Sequence, residues 1–100
     1  MQFETADHPE STTEGLKLYQ NRPNPFDDQT TIAFEMPEAA TAILTISDAT
    51  GQLIYSQEAH FEQGYNEVII TRDKLPVTGV LCYQVITGRF RASKKMVMLD

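Results

Sequence analysis

The sequence predicts an all-β domain, an immunoglobulin-like antiparallel β-sandwich of about seven strands, and three observations predict it. Short runs of alternating apolar and polar residues recur between turn signals at the spacing of a sandwich or barrel. No stretch carries a convincing helical period. The glycines and prolines fall between the runs, where turns need them, and not inside them. With 100 residues, 41% of them apolar, and no Trp, the chain is long enough for one core built from Leu, Ile, Val, Met, Phe and Tyr without disulfide or metal staples.

Taken in order, residues 1–15 are rich in Thr, Glu and Ser, hold Glu4, Asp7, Glu10 and Glu14 with no base, and show neither period. They are expected to be a flexible acidic linker, with the folded domain over residues 16–100. Leu16–Gln20 is the first strand. It is closed by Asn21-Arg22-Pro23-Asn24-Pro25, whose prolines lack donors and push the residues before them towards extended backbone. Thr30–Phe34 sets Ile32 and Phe34 on one face and Thr31 and Ala33 on the other, until Met36-Pro37 ends it. Thr41–Asp48 alternates most regularly, with Ala42, Leu44 and Ile46 opposite Thr45 and Ser47. Asp48-Ala49-Thr50-Gly51 offers a side-chain acceptor and a residue tolerant of positive φ, predicting an antiparallel return over Leu53–Gln57. Asn66–Thr71 follows Gly64 with Val68 and Ile70 on one face. The segment from Asp73 to Gly79 leads into Val80–Thr87, the most apolar run and the predicted central strand, and Gly88 turns it into Arg89–Met98. The Cys…Trp…Cys pattern of antibody domains is absent.

Several function classes are excluded. Fourteen acidic against eight basic residues give a net charge of −6, and nucleic-acid binding needs clustered Lys and Arg. No run approaches the ~20 apolar residues of a membrane span, so no membrane insertion is expected. The start of the chain has neither a basic nor an apolar signal region, so any export signal is expected upstream. Cys82, the one cysteine, lies between Leu81 and Tyr83 and reads as a small core hydrophobe. His8 and His60 lack partners at metal-ligand spacings. The serines lack a nucleophile-elbow setting, and Asp27-Asp28 read as a solvated loop. Asp27, Asp28 and Asp48 have the chemistry to ligate calcium but not the spacing of an EF-hand. No catalytic residue, metal or cofactor is expected.

The charge is uneven. Residues 89–100 hold Arg89, Arg91, Lys94 and Lys95 against Asp100, a basic patch on an acidic domain. On composition alone, Ser93-Lys94-Lys95-Met96-Val97-Met98 is an ordinary solvated strand end.

A resemblance changes that reading. Leu18-Tyr19-Gln20-Asn21-Arg22-Pro23-Asn24-Pro25-Phe26, then Thr30–Phe34 with Met36-Pro37, then Ala42–Ser47 followed by Asp48-Ala49-Thr50-Gly51-Gln52-Leu53-Ile54, resemble in order the C-terminal sorting domains of the Bacteroidetes type IX secretion system. Gly64-Tyr65-Asn66, Leu75 with Thr78-Gly79-Val80, and Lys94-Lys95-Met96-Val97-Met98 continue the match through residue 100. Leu81 and Arg22 depart from it, each standing where the family usually has an aromatic.

The resemblance implies an immunoglobulin-like domain at the end of a cargo protein. It implies recognition by an outer-membrane translocon after transit through the periplasm, and removal by a sortase-like peptidase, often with attachment of the cargo to anionic lipopolysaccharide. The cargo would be secreted or held at the cell surface, and accessibility puts the cleavage in the acidic linker. The mechanism would be docking, and the chain's stop after the Lys-Lys segment suits a terminal signal. Arg89, Arg91, Lys94, Lys95, Met96, Val97 and Met98 are the expected recognition residues: an edge strand carrying them suits pairing with a partner's sheet or filling a groove, with the lysines steering the encounter. Pro23, Asn24, Pro25, Phe26, Asp48, Gly51 and Gly79 are the expected turn scaffold. Two rival readings are an adhesive or carbohydrate-binding sandwich and a purely structural one. The first is disfavoured because Tyr19, Phe34, Tyr55 and Tyr83 mostly alternate onto expected core faces.

Overall fold

The computed structural model describes residues 11–13 and 15–100, with side chains from residue 15 onward. Among these, the strands are β1 (Ser11–Thr13), β2 (Leu16–Leu18), β3 (Gln29–Met36), β4 (Ala40–Ser47), β5 (Leu53–Phe61), β6 (Gly64–Thr71), β7 (Gly79–Thr87) and β8 (Phe90–Met98), with one 3₁₀ turn at Arg72–Lys74. They form two antiparallel sheets ordered β1-β2-β3-β6 and β5-β4-β7-β8. The orders β2-β3-β6 and β4-β7-β8 are those of strands A-B-E and C-F-G in an immunoglobulin-like sandwich, with β5 added beside β4.

All seven expected runs are strands, and β7 is central as expected, between β4 and β8. The eighth strand, β1, falls inside the stretch whose composition reads as linker and pairs Ser11 with Leu18 and Thr13 with Leu16. Three polar residues have no apolar period to betray them. Residues 1–10 and 14 of the expected linker lie outside the described residues.

The alternation seen in the sequence is the alternation of burial. Leu16, Leu18, Ile32, Phe34, Met36, Val68 and Ile70 from one sheet meet Ala42, Leu44, Ile46, Leu81, Tyr83, Val85, Ala92, Met96 and Met98 from the other. Each fully buried Leu or Ile contributes about 1.5–3 kcal/mol. Phe26 and Leu75, both from loops, add buried side chains to the same core. Phe61 on β5 meets Phe34 edge-on, with ring centroids 5.0 Å apart.

The Tyr83 hydroxyl reaches across this core. It donates to the Tyr19 carbonyl at 2.7 Å and accepts from the Asn21 amide at 2.8 Å. It thereby ties β7 to the chain leaving β2 in the opposite sheet. Burial pushes the phenol above its ordinary value, so it stays protonated and able to donate. Tyr83→Phe keeps the ring but strands the buried Asn21 amide. The expected outcome is a loss of about 1–3 kcal/mol, read as a lower urea midpoint at unchanged m-value.

Candidate functional site

The expected scaffold turn and the expected recognition strand meet. β8 is an edge strand, and its pairing with β7 leaves the Lys95 and Val97 backbone groups pointing away from the sheet. The loop after β2 closes on them. The Phe26 amide donates to the Val97 carbonyl at 3.0 Å, and the Leu99 amide donates to the Phe26 carbonyl at 2.8 Å. The Asn24 Oδ1 accepts from the Val97 amide at 2.9 Å, and the Gln20 Nε2 donates to the Lys95 carbonyl at 2.7 Å.

The loop is itself held from beneath. Asn21 is buried, and its Nδ2 donates to the Pro23 carbonyl and to the Thr30 hydroxyl, which in turn donates to Pro23. Pro23 and Pro25 lack donors and stand exposed. Gln20 and Asn21 were not singled out in the sequence, because a short polar stretch before prolines looks like any surface turn.

The side chains of β8 divide by face, and this corrects the expected recognition set. Met96 and Met98 are buried in the core, 1% and 2% exposed, so they are not an apolar docking end on the folded domain. Lys94 shares their face, opposite Tyr83, while Lys95 lies on the outer face, opposite Cys82. Adjacent strand residues point to opposite sides, so the Lys-Lys pair is not one patch. Lys94 is half-buried at the flank of the sandwich, where an inward charge guards an edge against pairing. Arg91, Ser93, Lys95 and the half-buried Val97 form the outer face of β8, and Arg89 lies over the Phe90 ring at 5.1 Å from its centroid.

The Asp48 turn reaches the same outer face. Its Oδ1 accepts from the Thr50 amide at 2.9 Å, the Thr50 hydroxyl at 2.6 Å and the Gln52 amide at 3.0 Å, and Gly51 has φ 92°. The Thr50 hydroxyl and then the backbone amides hold the Asp48 carboxyl below its ordinary value. Beside this turn lies a shallow hollow of about 360 Å³ lined by Asp48, Ala49, Val80, Leu81, Cys82 and Lys95. Gly79, at φ 98°, opens β7 at this end.

Cys82 is half-buried on this outer face and not a core residue, because its neighbours Leu81 and Tyr83 take the two inward positions. Val80, Leu53 and Leu99 are exposed apolar residues. Asp27 pairs instead with Arg72, 3.2 Å away. Among the described residues, no three His, Cys, Asp or Glu side chains are gathered as for a metal.

The fold and this surface define a small immunoglobulin-like module whose last strand is locked in place by its own first loop and shows a basic outer face. The family model described as secretion system C-terminal sorting domain matches residues 19–99, and the chain belongs to that family. The resemblance seen in the Leu18–Phe26, Asp48–Gly51 and Lys94–Met98 segments is thereby borne out. The domain is a sorting signal of type IX secretion and marks a secreted or cell-surface protein. Comparison with curated proteins finds no match, and neither does comparison with solved structures.

Asn24→Ala removes the acceptor of the Val97 amide while leaving both Phe26 hydrogen bonds. Amide hydrogen exchange is expected to speed up about 5- to 10-fold at Val97, with interior strand amides such as Tyr83 unchanged.

Proposed function

We propose that the domain is the export address of an upstream cargo and that the outer-membrane translocon reads it folded. The contact would be the outer face of β8, Arg91 and Lys95 above all, together with the Asp48 turn beside Lys95. The observation that carries this reading is the division of β8: its methionines complete the core while Arg91 and Lys95 point outward. A cationic face on a chain of net charge −6 orients the domain towards an acidic partner surface. Because the Pro23–Phe26 loop occupies the Val97 end of the β8 edge, strand addition by a partner is blocked there, and side chains are left to carry specificity.

In this reading the domain does no chemistry of its own. The cargo crosses the periplasm, and a sortase-like peptidase cuts within residues 1–10, the part of the acidic stretch that precedes β1 and its pairing with β2.

The test is a signal-peptide-bearing fluorescent reporter fused to residues 1–100, expressed in hosts with and without the translocon. The intact fusion is expected in the medium or at the surface of the complete host alone, with its mass showing removal of the domain. Arg91→Glu with Lys95→Glu is expected to cut export by about tenfold, equivalent to about 1.4 kcal/mol of recognition, at unchanged Tm. Undiminished export of that folded variant would place recognition elsewhere. Periplasmic retention of the folded intact fusion would overturn the reading.

A further inference from the structure

The outer face of the other sheet carries a hollow, apart from the β8 face to which the export contact is assigned. It is an open depression of about 640 Å³, and Tyr19, Gln20, Arg22, Asn24, Ala33 and Tyr65 are among the residues that line it. Its floor is unusual. Ala33 points outward on β3, between the inward Ile32 and Phe34, and lies outside the core cluster, yet it is 2% exposed. Tyr19, from the strand end beside it, and Tyr65, across the sheet, stand around it with ring centroids 6.1 Å apart and planes 52° apart. The sequence placed Tyr19 on a core face; the structure puts it outside because Leu16 and Leu18 take the inward positions of β2.

The rings are held by their oxygen ends, and the Lys17 Nζ lies over the Tyr19 ring at 5.5 Å from its centroid, so the 53% exposed Tyr65 supplies the ring surface of the hollow. Tyr19 donates to Glu35, Tyr65 donates to Glu67 at 2.8 Å, and an Arg22 Nη2 donates to the Tyr65 hydroxyl at 3.3 Å. The charges are balanced locally, with Arg22 3.7 Å from Glu67. Two rim groups retain open valences. Gln20 uses Nε2 on Asn21 and on the Lys95 carbonyl, and Asn24 uses Oδ1 on the Val97 amide. Among the described residues, Gln20 Oε1 and Asn24 Nδ2 have no partner, which leaves one acceptor and one two-hydrogen donor among the lining residues.

This set selects a ligand class. An ionic ligand would meet no uncompensated opposite charge. An extended peptide would find no backbone edge, since β3 is paired on both sides, to β2 and to β6. A pyranose has apolar C–H faces for tyrosine rings, and hydroxyls that each donate and accept, as Gln20 Oε1, Asn24 Nδ2 and the remaining Arg22 N–H groups require.

We propose that this hollow binds a neutral saccharide, one ring stacked on Tyr65 with its hydroxyls on Gln20, Asn24 and Arg22. The proposal is independent of the export reading, because Arg91 and Lys95 lie on the outer face of the opposite sheet.

The test is NMR titration of ¹⁵N-labelled residues 1–100 with maltotriose, triacetylchitotriose and mannotriose, and separately with a ten-residue oligoproline. With at least one trisaccharide, saturable shifts are expected at the Tyr19, Asn24, Ala33 and Tyr65 amides, at about millimolar Kd for so shallow a site. Tyr65→Ala is expected to weaken binding about tenfold or more, while Tyr65→Phe, which keeps the ring, retains it. Tyr65 is 53% exposed, and the amide spectrum of each variant reports its fold directly. No saturable shift with any trisaccharide to about 50 mM, oligoproline binding in their place, or saccharide binding indifferent to Tyr65→Ala would each overturn the proposal.

Discussion

Much of this domain depends on one phenol. The Tyr83 hydroxyl reaches across the layer between the sheets, and it meets both a carbonyl and an amide of the chain leaving β2. Without those partners a buried hydroxyl is a liability of a few kcal/mol, which gives the Tyr19–Asn21 segment one favourable position relative to β7. Once that segment is fixed, Asn21 holds Pro23 and Thr30, and the loop that follows is aimed at β8. The order of consequence therefore runs from a core tyrosine, through a buried asparagine, to the backbone of the last strand.

That order explains how the sandwich manages its edges. An eight- or nine-residue edge strand with free amides invites pairing with other chains. On the β8 side the loop hydrogen bonds cover Val97 and Leu99, β1 and β2 pack alongside, and Lys94 sets a charge on the inner face. On the other side β5 and β6 are the sheet edges, joined by the tight connection at Glu62-Gln63, and the β4–β5 ladder is interrupted between Ile46 and Ser47. A bulge there increases the local twist and spoils the flatness that edge-to-edge association needs.

The fold was legible because it rests on a two-residue period and on turn chemistry, both local. Ile32 with Phe34, Ala42 with Leu44 and Ile46, and Val68 with Ile70 are buried as their alternation requires. The surface was less legible, because register decides which residues reach it. Met96 and Met98 looked like an apolar tail, but their spacing from Ala92 puts them on the core face. Lys94 and Lys95 looked like a pair, but neighbours on a strand diverge. Tyr19 and Cys82 went the other way, from expected core to outer face, each displaced by apolar neighbours that claimed the inward positions. The Asn21 network was not legible at all, since a buried asparagine is set by long-range partners. Asn24 and Phe26 could be read as a turn, but not as the cap of a strand some seventy residues later.

The dual use of β8 bears on how such a signal would be read. Arg91, Ser93, Lys95 and Val97 are held on one face because Ala92, Met96 and Met98 are anchored on the other, and each anchored methionine contributes on the order of 1.5–3 kcal/mol to folding. Removing the anchors releases the outer face with them. Lys95 stands beside the Asp48 turn only when β7 pairs with both β4 and β8, that is, when most of the second sheet has formed. A receptor that binds this arrangement therefore binds a folded domain, and its affinity for an unfolded chain is reduced by the folding equilibrium. In the proposed reading the export address and the proof of folding are the same surface, because one strand supplies the core and the signal on alternate residues.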